Sequence, residues 1–166
     1  MEKVTFEKGR RGDLMDSSEF RRIFKECMIE NGFAFRNNKC YLLSEKLIAI
    51  IQTQKSNFSN GFYINYGFLV KEIHKNMDCS NICLCDVVGR FTINDKDEYE
   101  LSSLTSEMLI ESLKTNVNDI IFPVANGGIM KYFELYPKAI CVAKKELREF
   151  LNSKYYKFVR LESMMG

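Results

Sequence analysis

Hydrogen-bonding side chains gather at the ends of two apolar runs between residues 47 and 70, where the residue pattern is typical of β-strands. Amide, hydroxyl and ammonium groups that converge on one end of a sheet can bind the polar edge of a small ligand or a peptide. A guanidinium further along the chain, Arg90, completes the set. The candidate ligand-binding residues are Gln52, Gln54, Lys55, Ser56, Tyr63, Asn65 and Arg90.

Strand register decides whether these side chains meet, because a slip of one residue exchanges the two faces of a strand. The register that buries the larger apolar set places Leu47, Ala49, Ile51 and Thr53 on one face with Phe62, Ile64, Tyr66 and Phe68. The opposite face then carries Gln52, Gln54, Tyr63 and Asn65 at one end and Ile48, Ile50 and Leu69 at the other. An ordinary half-solvated antiparallel face shows the same alternation, so both interpretations stay open.

The segment from His74 to Cys85 contains the only histidine of the chain and three of its six cysteines. Imidazole and thiolate are zinc ligands, but the intervals of five, four and two residues do not reproduce the paired CxxC turns of structural zinc sites. We therefore predict no structural metal. We also expect Cys83 and Cys85 to point to different sides of the chain.

No recognised catalytic arrangement accompanies these groups. A Cys–His pair needs a base in contact with the thiol and an orienting group behind it, and the spacing of the single histidine predicts neither. Gly127 and Gly128 follow a helical pattern and lack the frame of a phosphate loop. Arg90 stays charged near neutral pH, so we expect a structural or positioning cation rather than a base. We predict no catalytic residue and no cofactor.

The charge balance argues against two classes of partner. Lys and Arg number 24 against 22 Asp and Glu, a formal net charge of +2, which provides little field to attract nucleic acid or anionic lipid. The longest apolar run, Leu47 to Ile51, is far shorter than the roughly 20 residues that cross a bilayer. The N-terminus shows no apolar export signal, and we expect a cytoplasmic protein with free thiols.

Both chain ends carry cations. Residues 1–14 contain Lys3, Lys8, Arg10 and Arg11 and little to bury, so we expect a flexible basic tail followed by a single domain over residues 15–166. Residues 154–160 interleave cations with aromatic rings, which can stack bases. We favour the interpretation that the rings pack against the domain while the cations reach solvent.

Hydrophobic periodicity predicts an α+β fold with an N-terminal helix, a four-stranded antiparallel meander and a helical C-terminal half. Asp16 is a candidate cap for the first helix, and Asn31-Gly32 is a candidate end. Pro123 should end or kink the long helical pattern that begins near Ser103, and Gly67 indicates a bulge or a close approach of another segment. The predicted strands are Phe33–Arg36, Cys40–Leu43, Leu47–Gln54 and Phe62–Lys71, and the shorter predicted helices are Ile129–Leu135 and Lys144–Leu151.

Several motifs resemble the bacterial domain-of-unknown-function family 4304 over about Phe20 to Phe91. They are Asn31-Gly32-Phe33 at a helix end, Gln54-Lys55-Ser56 at the end of an apolar strand, Phe62 to Gly67 in the next strand, and Val88-Gly89-Arg90-Phe91. The chain departs from the family pattern at Tyr63, where threonine is usual, and at Thr53, where an aromatic residue is usual. The resemblance implies the fold and a bacterial setting, but no reaction, because the family has no assigned activity.

These observations favour a non-enzymatic binding module of immunity or accessory type, with a protein partner or a small polar ligand. The alternative is an enzyme of unrecognised type that acts on a small polar substrate in a cleft between the sheet and the C-terminal helices, through Tyr63, Lys55 or Arg90. A metal-stabilised domain built on His74 is a third, minor possibility. An open face for the polar residues favours the binding module, whereas a deep pocket favours the enzyme.

Overall fold

The structure, a computed structural model, describes residues 15–74 and 81–154. An N-terminal helix, an antiparallel sheet and a helical C-terminal half confirm the predicted α+β class. The basic tail predicted for residues 1–14 and the aromatic stretch after Lys154 lie outside the described residues. Cys79 lies outside them too.

The first helix, α1 (Ser17–Glu30), begins and ends where its capping residues predict. The Asp16 carboxylate accepts a hydrogen bond of 2.8 Å from the Glu19 N–H, which satisfies a donor that the first turn leaves free. Gly32, with φ of 94°, turns the chain out of the helix. The apolar stripe of the helix is buried, and its Phe20 ring stacks on Phe62 of the sheet at 4.2 Å between centroids.

The sheet has six strands rather than the predicted four. The first four form the predicted meander, with Asn37 and Asn38 at positive φ in the first tight turn. Two short strands pair with the side of β4 that faces away from β3, and they are too short to show a period in the sequence. The strands are β1 (Ala34–Arg36), β2 (Lys39–Leu43), β3 (Leu47–Lys55), β4 (Gly61–Val70), β5 (Val87–Arg90) and β6 (Tyr99–Glu100).

The register of β3 and β4 confirms the prediction for the core face. Ala49 lies opposite Phe68 and Ile51 opposite Tyr66, and all four are buried. Directly opposed residues of an antiparallel pair share a face, so the residues between them belong to the other face of the sheet.

The helical half covers the core with short elements. Pro123 does not end the helix, because the turn before it, Val117–Ile121, widens to π-helical bonding and accommodates the missing N–H donor. Gly128, with φ of 91°, then breaks the chain direction. The elements are α2 (Ser106–Asn116), α3 (Phe122–Gly127), α4 (Ile129–Leu135), a 3-10 segment (Pro137–Val142) and α5 (Lys145–Lys154).

Candidate functional site

A row of polar side chains crosses five strands on the face of the sheet that is turned away from α1. Cross-strand pairing aligns Arg36 with Lys39, Lys39 with Gln52, Gln52 with Asn65, and Asn65 with Arg90. We call these five residues the polar row. Arg36 and Lys39 were not among the predicted site residues, although their position on either side of the tight turn at residues 37–38 is a signal that could have placed them.

Hydrogen bonds organise the Arg90 end of the polar row. The Arg90 Nε donates to Asn65 Oδ1 at 3.0 Å, and Asn65 Nδ2 donates to Gln54 Oε1 at 2.8 Å. The Arg90 guanidinium also pairs with Asp97 at 3.1 Å and lies 3.9 Å above the centre of the Tyr63 ring. These contacts hold the cation in one position, as a structural or positioning role requires.

The middle of the polar row has an unused acceptor. The Oε1 atom of Gln52 is buried, and no described residue donates a hydrogen bond to it. A buried carbonyl oxygen without a donor costs about 1–3 kcal/mol, so rotation of this amide toward a bound donor would recover free energy.

Lys55 and Ser56 do not join the other candidate residues. β3 continues one residue beyond its predicted end, so the alternation places Lys55 on the helix side, 5.6 Å from the centre of the Phe62 ring. Ser56 is buried at the strand end, where its hydroxyl accepts a hydrogen bond from the Phe58 N–H. The predicted group of seven therefore divides, and Lys55 and Arg90 lie on opposite faces of the sheet.

The apolar end of the same face is covered by the segment before β5. A Cβ atom on Gly67 would lie 2.7 Å from Cys85 Sγ, so the glycine permits the close approach that its position in the strand predicts. Cys85 is buried there with Ile82, whereas Cys83 is exposed, as expected for thiols that point to different sides. Only the polar end of this face is left for a ligand.

His74 and Asp86 form a buried pair beside the end of β4. Their Nε2 and Oδ1 atoms lie 2.8 Å apart, and Asp86 Oδ2 accepts the Val70 N–H at 2.8 Å. Both carboxylate oxygens thus bind groups of the protein itself. No cluster of three or more metal-ligating side chains occurs in residues 15–74 and 81–154, and the absence of a structural metal stays a prediction.

Buried phenols and thiols are held neutral. Burial raises the pKa of Tyr99 and of the Cys40 thiol to about 12 each. Burial also raises the pKa of Tyr66, whose hydroxyl lies 3.0 Å from that of Tyr132. These groups are protonated near neutral pH, which suits packing better than nucleophilic attack.

A groove of about 720 Å³ runs beside β5, and both Asn65 and Arg90 reach its lining. One wall is the segment around Cys83 and the other is the 3-10 segment that ends at Val142. The Lys144 ammonium donates to the Cys83 carbonyl oxygen at 2.9 Å and connects the two walls.

The fold and this face define an α+β domain that presents a polar antiparallel sheet surface beside a groove. The chain belongs to the family described as Domain of unknown function (DUF4304), whose model matches residues 24–127. No curated protein and no solved structure matches the chain. Among the described helices, none has the length and the apolar character needed to span a membrane.

Proposed function

We propose that this chain is a non-enzymatic binding module, of immunity or accessory type, whose polar row binds an acidic surface of a protein partner. The observation that carries the proposal is the alignment of three cations and two amides across five strands of an open sheet face. Neighbouring strands of a sheet lie about 4.8 Å apart, so the row spreads its five side chains at regular intervals across the face.

The electrostatics support an acidic partner. Arg36, Lys39 and Arg90 provide three positive charges on this face, against two carboxylates, Asp97 paired with Arg90 and Glu100 at the far end. The Arg36 guanidinium lies 5.5 Å from the centre of the Tyr41 ring, and Arg90 has its own ring contact. Cations that are already held against rings lose less side-chain entropy when a carboxylate binds them. Complementary charge also accelerates association.

Cys27, Cys40, Cys83 and Cys141 are free thiols, which suits a reducing compartment, and we place this module in the bacterial cytoplasm. The groove beside β5 is the observation that favours the second candidate, an enzyme acting on a small polar substrate, because Asn65 and Arg90 line it. Lys55, an expected participant, lies on the other face of the sheet, so the binding module is the better-supported function.

Affinity capture from the source cells tests the proposal, with a charge-reversed row and a matched control. The row variant is Arg36→Glu/Lys39→Glu, and the control is Lys114→Glu/Lys145→Glu, which makes the same charge change at exposed helical positions. We expect one acidic protein to be enriched by the wild type and the control, and to fall at least about tenfold with the row variant because two ion pairs become repulsive.

Quantitative mass spectrometry measures the enrichment, and calorimetry with the purified partner gives the Kd. Equal capture by the row variant contradicts the proposal. Multiple turnover of a small polar substrate by the purified protein, lost in Arg90→Ala, favours the enzyme.

A further inference from the structure

The outer edge of β5 has main-chain groups that point away from the sheet. β5 is the last strand in the order β1 to β5, and Phe91 N donates to Ile64 O at 2.9 Å. In an antiparallel ladder the groups alternate, so the N–H and C=O of Val88 and Arg90 point outward. No main-chain hydrogen bond joins Val88 or Arg90 to another residue on this side within the described part of the chain.

All four residues of β5 line the groove beside this edge. Its helical wall is formed by small apolar residues of the 3-10 segment, and Lys144 bridges to the carbonyl oxygen of Cys83 before β5 begins. Arg90 stands at the other end of the strand. An extended chain is the only regular structure that satisfies a row of strand N–H and C=O groups.

Apolar surface flanks the edge. The exposed fraction is 57% for Val88 and 85% for Val142, and both residues line the groove. Natural edge strands are commonly protected by charged residues or proline, and Arg90 is the single charged residue of β5. Within residues 15–74 and 81–154, the edge is thus open to pairing at Val88, the one of its first three residues whose main-chain groups point outward.

The charges of the groove identify the occupant. Arg90 and Lys144 are its two cations, and Arg90 also pairs with Asp97, which lies outside the groove lining. Asp86, the one carboxylate of the lining, already accepts from His74 and Val70 through both oxygens. We infer that the β5 edge takes an extended acidic segment of a protein, which adds as a further strand beside Val88 and Arg90. Its alternate apolar side chains face Val142 and its carboxylates face the two cations. This inference rests on the proposed function and names how the partner is held.

Short synthetic peptides test the inference on the full chain. The probe is fluorescein-labelled acetyl-(Glu-Val)3-amide, and its matched control is acetyl-(Lys-Val)3-amide. A third peptide is the probe N-methylated at every backbone nitrogen. Fluorescence anisotropy gives each Kd, and the NMR shifts of the Val88 and Arg90 amides locate the binding. We expect the acidic probe to bind at least about tenfold more tightly than either other peptide, since both charge and main-chain donors contribute.

Variants separate main-chain pairing from side-chain contact. Val88→Pro removes the outward N–H, whereas Val88→Thr keeps both the donor and the side-chain shape, so we expect about a tenfold loss for the first and less than about threefold for the second. Lys144→Glu should reduce the preference for the acidic probe. If Val88→Pro fails to fold, the N-methylated peptide still decides whether pairing uses the main chain.

Four results overturn the inference. The first is equal binding of the three peptides, or none. The second is slow hydrogen exchange of the Val88 and Arg90 amides in the free protein, independent of its concentration, which would mean that the chain itself covers the edge. The third is protection that grows with concentration, which would make a second copy the occupant. Capture that depends on Lys39 but not on Lys144 would overturn this inference alone and leave the proposed function intact.

Discussion

Replacement of Gly67 by alanine measures how tightly the segment before β5 is packed on the open face of the sheet. The added methyl group would lie 2.7 Å from Cys85 Sγ, 2.8 Å from Cys85 Cβ and 3.0 Å from Ile82 Cγ1. Both neighbours are buried, so neither side chain can turn into solvent. The φ of Gly67 is not positive, and the backbone itself accepts alanine without strain.

Two opposing contributions determine how Gly67→Ala changes the free energy of unfolding. Alanine in the middle of a strand is favoured over glycine by about 0.5–1 kcal/mol through chain entropy. Overpacking of a filled interior costs about 1–3 kcal/mol. We therefore expect Gly67→Ala to lower the free energy of unfolding by about 1–2 kcal/mol, a change of roughly tenfold in the unfolding equilibrium for each 1.4 kcal/mol.

Urea denaturation of a double-mutant cycle with Cys85→Ala is the assay. Cys85→Ala alone should lower the free energy of unfolding by about 1 kcal/mol, because a buried sulfur is lost. The loss in the double variant should be smaller than the sum of the two single losses by at least about 0.5 kcal/mol, because the closest clash is gone. Additive losses would contradict a requirement for glycine opposite the Cys85 sulfur, and a stabilised Gly67→Ala would contradict tight packing at this position altogether.

Four further predictions concern buried and bridging groups. Tyr66→Phe should lower the free energy of unfolding, measured by urea denaturation, by about 1–2 kcal/mol, because it leaves the Tyr132 hydroxyl without its hydrogen-bond partner. Tyr66→Phe/Tyr132→Phe should recover most of that loss. The stability that Tyr99 contributes should be complete below pH 10 and fall as the pH rises toward 12, because its hydroxyl ionises near pH 10 in the unfolded chain whereas burial raises its folded pKa to about 12; Tyr99→Phe should flatten this decline. Asp86→Ala should lower the free energy of unfolding by on the order of 3 kcal/mol, measured by thermal unfolding, because the Val70 N–H and the His74 imidazole lose their acceptor. An unchanged Tm would contradict this pairing. Arg90→Ala should lower Tm and partner binding together and Arg90→Lys should restore only part, whereas lost binding at an unchanged Tm would place Arg90 in direct contact with the ligand.

Local residue patterns were sufficient for several elements of this fold. Asp16 and Gly32 mark the two ends of α1, because capping residues act through contacts within one helical turn. Asn37-Asn38 determined the first hairpin, since few residues accept positive φ. The strict alternation in β3 and β4 determined which of their faces is buried, because period 2 leaves one register that hides the apolar set.

Tertiary structure alone decided how the candidate site is assembled. β5 and β6 exist as strands because β4 offers them an edge, and neither is long enough to show a period. Arg36 and Lys39 enter the polar row because β1 pairs with β2 and β2 pairs with β3, which aligns both cations with Gln52. Such placements depend on the summed packing of residues distant in sequence, which no local pattern contains. The free edge of β5 and its groove likewise exist only where the folded chain leaves a strand unpaired.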